Sequence, residues 1–384
     1  MRIHSHKIIA ASGLFAIIAA GIVYLSMSGF LQVSELPEGT PLGMAAIEPL
    51  PAEEGYQYLY FGKNDAVPVE WRMLSTKTSI GGADGVFLLA NRGMVFTDFG
   101  TDHGWKDSKV KAWCEEFYAS QDSFTDTERR LILETSAKET EREDYHYNDG
   151  SLYLHCGLDK EHIFVLSVSE AMNPEFGFPE TIKTDGSREM QYGKRLCWWW
   201  LRSPNSKGDD VCCLVYRDGN ITFDQVTRSR VAIRPAMNLS SDKEQVLLAV
   251  PCEKYVVQEK NWRDKTQAAA KKALYWKLKL IDDTMEIPQI SSAKVRAGKL
   301  KLVFDGNKPG LDEGQRLVLL IADKQYEKAY TYEALEDISI TPEGKLEMEL
   351  PSYYHKKQCD IYLLMENAGE GQETDFVSRP VKIL

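Results

Sequence analysis

The chain opens on a long apolar run with no charge in it. From Ile8 to Ser34 there is no Asp, Glu, Lys or Arg, and Ile8 to Leu31 reads IIAASGLFAIIAAGIVYLSMSGFL. A helix rises about 1.5 Å per residue, so about 20 residues cross a hydrocarbon core of roughly 30 Å. Residues 8–31 are long enough to do so, and no other apolar stretch is. A cleaved signal segment has a shorter apolar region, about 7–15 residues, and Ser26-Met-Ser28 offers one weak cleavage site. The length favours a single transmembrane anchor over a cleaved signal; both send the body the same way. Arg2 and Lys7 precede the run, and the next basic residue after it is Lys63. By the positive-inside rule residues 1–7 stay cytoplasmic and the bulk of the chain is extracytoplasmic. The expected address is the cell membrane, single-pass.

Beyond the anchor the polarity pattern changes three times. Residues 32–55 hold Pro37, Pro41, Pro49 and Pro51, several acidic residues and no basic ones. Such a segment predicts an extended linker reaching roughly 3.1 Å per residue. Residues 56–284 predict an α+β domain with its core at 56–240. Strand-like runs open it at Tyr56 to Phe61, Val69 to Leu74 and Gly85 to Ala90. Val110, Trp113, Cys114, Phe117 and Tyr118 then follow helical spacing behind a cap at Asp107 or Ser108. Thr125-Asp-Thr-Glu128 is a capping-box signature, and Ser167-Val-Ser-Glu170 is another. Residues 138–149 are dense in charge and read as a solvated loop. Ile163 to Leu166 is a short strand.

Cys197-Trp-Trp-Trp-Leu-Arg-Ser-Pro204 stands out. In a strand Trp198 and Trp200 face one way, Trp199 and Leu201 the other, so this strand should be central and covered on both sides. Val211 to Tyr216, an Asp218-Gly219 turn and Ile221 to Phe223 form a hairpin. Val231 to Met237 adds a strand whose Arg234-Pro235 places it at an edge or a strand end. Gln245 to Val250 and Leu274 to Ile281 are two further strands, with a polar, Ala-rich helix or excursion over 258–272. Residues 285–384 alternate apolar and polar positions in five runs separated by turns such as Asp305-Gly306 and Glu343-Gly344. This predicts an all-β immunoglobulin-like sandwich.

Composition narrows the function classes. With 43% hydrophobic and 27% charged residues the body folds, and a net charge of -11 argues against nucleic acid as a partner. Seven Cys cannot all pair internally, and neighbours Cys212 and Cys213 point to opposite strand faces. They read as mostly buried thiols, which in an exported protein suggest a reducing habitat. The chain carries no G-x-G-x-x-G, Walker A, G-x-S-x-G or H-E-x-x-H motif. His103, His146, His155 and His162 lack zinc spacing. No catalytic residue, cofactor or metal ligand is nominated. Arg202 and Arg234 suit an anionic ligand, but in apolar strands they read first as internally paired. The three Trp read first as core and second as a platform for sugar rings.

Trp199-Trp-Leu-Arg-Ser-Pro204, the Asp218-Gly219 hairpin and Ile233-Arg-Pro-Ala236 resemble an exported bacterial family, domain of unknown function 6273. The likeness extends upstream to Tyr58-Leu-Tyr-Phe-Gly-Lys63 and Glu70-Trp-Arg-Met-Leu74, and downstream to Trp276 to Asp282. It makes Trp199, Trp200, Leu201, Arg202, Ser203, Pro204, Arg234, Pro235 and Ala236 family signature residues with a structural role. That family is similar in pattern to C-type-lectin-like and sulfatase-modifying-factor folds, which implies a twisted antiparallel sheet with two helices. The lectin calcium triplet has no match, since Asn173-Pro-Glu175 runs in the wrong order. The expectation is a membrane-anchored, extracytoplasmic binding or cell-surface interaction protein, non-catalytic, whose partner is an envelope glycan or surface protein. The alternative is an exported enzyme acting on cell-envelope material.

Overall fold

A computed structural model describes residues 39–47, 55–76, 80, 85–138, 150–257, 271–335 and 340–384. The anchor expected at 8–31, most of the charged loop and most of the helix or excursion expected at 258–272 lie outside them; Lys271 and Lys272 begin the strand Lys271–Ile281. Among the described residues no helix is long and apolar enough to cross a membrane.

Among the described residues the fold is mostly β, with two short α-helices and several sheets. Lys109–Ala119 is the first helix. Ser108 caps it by accepting from the Lys111 N–H at 3.0 Å, and its face of Val110, Cys114 and Phe117 is buried. Asp126–Arg129 is the second, closed by the capping box between Thr125 and Glu128. The cysteines are free thiols, five of them buried; Cys156 and Cys197 are half-buried.

The strand Trp199–Pro204 lies in the middle of a five-stranded sheet. Val211–Val215 and then Ile221–Gln225 flank it on one side, Val231–Ile233 and then Val95–Thr97 on the other. Both faces of the Trp strand are covered, as its bulk requires: Trp199, Trp200 and Leu201 are fully buried. Its pairing with Val231–Ile233 is parallel, so this sheet is mixed and not the purely antiparallel one expected.

The Val231 to Met237 run is not one strand. Val231–Ile233 belongs to the five-stranded sheet, and Pro235–Ser240 crosses into the large sheet beside Gly85–Ala90. Proline lacks an N–H for a ladder and is tolerated at a strand's first residue, so the break falls at Arg234-Pro235.

The large sheet has thirteen strands and joins the two halves of the chain. Its hinge is Lys271–Ile281, which pairs in parallel with Gly55–Asn64 at one end and with Asp375–Val377 at the other. Main-chain pairing therefore crosses the boundary expected at 284/285. Ile290–Arg296, Lys299–Phe304 and Lys345–Glu349 form a separate three-stranded sheet. Leu300, Leu302, Leu346 and Met348 from it share a core with Leu317, Leu319, Ile361 and Leu363 of the large sheet. The opposite face of the large sheet here, Val318, Leu320 and Leu364, packs on Leu42, Leu247, Leu248 and Val250. Burial on both faces explains why Leu317 to Ile321 is an unbroken apolar run.

At the junction sits a buried ionic cluster. Lys279 is fully buried; its Nζ binds Asp375 Oδ2 at 2.8 Å and also Glu366. Lys277 binds Asp375 Oδ1 at 2.8 Å, and Arg316 binds Glu366 Oε2 at 2.8 Å.

Part of the segment expected as a free linker is docked. Thr40–Pro41 pairs with Lys328–Ala334, and Leu42, Met44 and Ile47 are buried. The prolines and acidic residues of 32–55 predict an extended linker; these three apolar side chains instead enter cores.

Candidate functional site

The signature residues lie together where the two sheets meet, and they are buried except Pro204, which is half-buried. The Trp199 Nε1–H donates to the Arg188 carbonyl at 3.0 Å, and the Trp200 Nε1–H to the Thr97 carbonyl at 3.0 Å. The Phe99 ring stands edge-on to Trp200 with centroids 5.4 Å apart. Ser203 Oγ accepts from the Val168 N–H at 2.9 Å, and the Pro204 carbonyl accepts from the Leu154 N–H at 2.7 Å. Pro235 and Ala236 start the strand that pairs with Phe164–Val165.

Arg202 is a closed circuit. It forms a two-pronged pair with Glu170, with Nη1 at 2.6 Å from Oε2 and Nη2 on Oε1. Nη1 also donates to the Val165 carbonyl at 2.7 Å and Nε to the Cys156 carbonyl at 2.9 Å. Glu170 accepts from the Ser167 N–H at 2.9 Å, completing the capping box read from sequence. One buried cation is matched by one buried anion.

Arg234 differs. It is 1% exposed, and its Nε donates to the Ala90 carbonyl at 2.8 Å and its Nη1 to the Arg188 carbonyl at 3.3 Å. Among the described residues no carboxylate pairs with it. Burial first, and then the repulsion of Arg72, push its pKa down to about 9. Arg72 comes from the strand Val67–Ser75 and is 5% exposed. Its guanidinium carbon lies 3.9 Å from the centre of the Tyr56 ring, and its Nη1 donates to the Ser187 carbonyl at 2.8 Å. In the sequence Arg72 is one residue of the strand-like run Val69 to Leu74. The signal available was an Arg in the middle of Glu70-Trp-Arg-Met-Leu74.

A second feature faces outward at the end of the five-stranded sheet. Trp198 is half-buried, unlike its two neighbours, and stacks at a tilt on Tyr216, with centroids 4.6 Å apart. Arg228 lies 5.6 Å from the Trp198 ring and Arg217 lies 5.4 Å from the Tyr216 ring. Arg228 also forks onto Asp224, Nε to Oδ2 at 2.9 Å and Nη2 to Oδ1 at 3.2 Å. Strand geometry puts them together: Trp199 pairs with Val215 and Cys212 with Asp224, so Trp198, Tyr216 and Asp224 share one sheet face. The hairpin that carries Tyr216 turns at Asp218-Gly219. Gly219 has φ +74°, and a Cβ there would strike the Asp185 carbonyl oxygen, so glycine is required.

No group of three or more His, Cys, Asp or Glu is placed to hold a metal among the described residues. Residues 84–241 match the family model described as Domain of unknown function (DUF6273). No curated protein matches the chain, and no solved structure matches it.

Proposed function

We propose that this protein is a membrane-anchored, extracytoplasmic binding protein that engages an envelope glycan through the Trp198–Tyr216 face. The observation that carries this reading is the pairing of two half-buried aromatic rings with an Arg–Asp fork on one sheet face. An aromatic ring offers a flat apolar surface to the C–H face of a sugar ring, and aromatic stacking orients it. A charged fork beside the rings supplies directed donors and acceptors for hydroxyls. The signature residues are spent on the interior, where they hold the strand that presents Trp198. The uncharged run at 8–31 would tether the body at the membrane.

The test is binding of the full-length protein to purified envelope polysaccharide, followed by tryptophan fluorescence. Saturable binding that disappears in Trp198→Ala and in Tyr216→Ala, with thermal stability retained, is the expected result. Capture of a surface protein with no polysaccharide binding would move the reading to a protein partner. Turnover of the polysaccharide would replace it by an enzymatic one.

A further inference from the structure

Four buried arginines, Arg72, Arg188, Arg202 and Arg234, lie near the junction of the sheets, and they meet the cost of burial in different ways. Arg202 has its own carboxylate, Glu170. Arg188 spends every guanidinium nitrogen on carbonyls: Nε on Gly219 at 2.7 Å, Nη1 on Ala171 and Pro179 at 3.3 Å, and Nη2 on Lys183. Arg72 does neither. Its Nη1 is satisfied by the Ser187 carbonyl, while its buried Nε has no hydrogen-bond partner.

We propose that Arg72, with Arg234 beside it, forms an oxyanion site for a carboxylate or phosphate group, on the tyrosine-lined face of the large sheet. A buried charge is ordinarily paired, and leaving it unpaired carries a large desolvation cost. Here two buried cations repel each other, and among the described residues neither pairs with a carboxylate. Glu70, two residues from Arg72 on the same strand face, gives its carboxylate to the Asn91 side-chain amide at 2.9 Å and to Tyr275. The buried, unpartnered Nε–H of Arg72 is one side of the fork with which a guanidinium grips a carboxylate or phosphate by two parallel hydrogen bonds.

The surroundings suit an anion held at that edge. The Tyr56 ring lies under the guanidinium at 3.9 Å and the Phe178 ring lies 5.4 Å from it, which fixes its plane. Tyr58 stands directly opposite Arg72 across the strand pair. Burial raises its hydroxyl to about 12, so it stays protonated and is a donor, not a counter-charge. An anion between the two arginines would convert their mutual repulsion into two attractions. This site is distinct from the outward Trp198–Tyr216 face and stands or falls independently of it.

The experiment uses the full-length protein with inorganic phosphate and acetate as separate probes, against chloride at matched ionic strength. Thermal stability and the arginine Nε–H signals in the NMR spectrum are read together. A saturable rise in stability with one or both probes, with one buried arginine Nε–H signal moving along the same curve, is expected; which probe acts identifies the source of the oxyanion. Arg72→Lys keeps the cation and loses the fork, and should weaken that binding at least about tenfold. Arg296→Gln, an exposed arginine on Ile290–Arg296, should leave it unchanged. If Arg72→Lys fails to fold, Tyr56→Leu, which removes the half-buried ring under the guanidinium, should weaken it instead. No saturable effect of either probe, or one that survives Arg72→Lys, overturns the proposal.

Discussion

Replacing Arg202 by methionine tests how the matched domain is held together. The side chain is 1% exposed, and methionine keeps much of its length while removing the charge. Two things are then left behind. The carbonyls of Cys156 and Val165 lose their donors, and Glu170, 9% exposed, loses both prongs of its ion pair. Removing one partner of a buried, hydrogen-bonded pair costs about 3–5 kcal/mol. In a cooperative unit of roughly 150–250 residues that corresponds to a fall in Tm of about 6–20 °C. Thermal unfolding followed by near-UV circular dichroism reads it directly, since Trp199 and Trp200 flank the site. The double variant Arg202→Met/Glu170→Gln should recover at least about 1 kcal/mol, because it no longer buries an isolated carboxylate. A single variant within about 1 kcal/mol of the wild type, or a double variant no better than the single, would refute the view of Arg202 and Glu170 as one neutral circuit.

Two further outcomes follow from the geometry. Burial raises the Asp375 carboxyl, but Lys279 and Lys277 outweigh it and hold the pKa below the ordinary value. A depressed folded pKa stabilises the native state above the unfolded value and loses that contribution as pH falls through the folded one. Stability should therefore drop on acidification below about pH 4, and Asp375→Asn should flatten that part of the pH profile of the urea midpoint; an unchanged slope would count against the cluster. Gly219→Ala should cost more than about 1 kcal/mol by chemical denaturation, from the left-handed backbone alone and the collision with Asp185 besides; a neutral effect would contradict the turn described.

Local chemistry was legible in the sequence and distant pairing was not. The Ser108 cap, the Thr125–Glu128 box, the Asp218-Gly219 turn and the centrality of the Trp strand all follow from spacing within ten residues or so. The parallel pairing of Lys271–Ile281 with strands more than 90 residues away on either side leaves no local trace, so the two halves looked separable. The buried Lys277 and Lys279 alternate with apolar residues in Leu274 to Ile281, and alternation reports two faces but not what lies over them. Of the arginines, Arg202 and Arg234 stood out through their motif. Arg72 could be recognised only once Tyr56, Tyr58 and Ser187 were brought around it. The short 3-10 turns at Glu170–Met172, Pro174–Phe176 and Gly186–Arg188 carry too few residues to show a period.

The docked stretch at Thr40–Ile47 has a mechanical consequence. Its strand pairing is with Lys328–Ala334, in the C-terminal half, and its side chains enter two of the cores that border the large sheet, Met44 and Ile47 one and Leu42 another. A pull arriving along the N-terminal segment would load that two-residue ladder first and reach the Trp-bearing sheet only after it had peeled away. The first contacts in such a load path thus lie outside the region proposed to grip a ligand, like a fuse wired ahead of the circuit it protects.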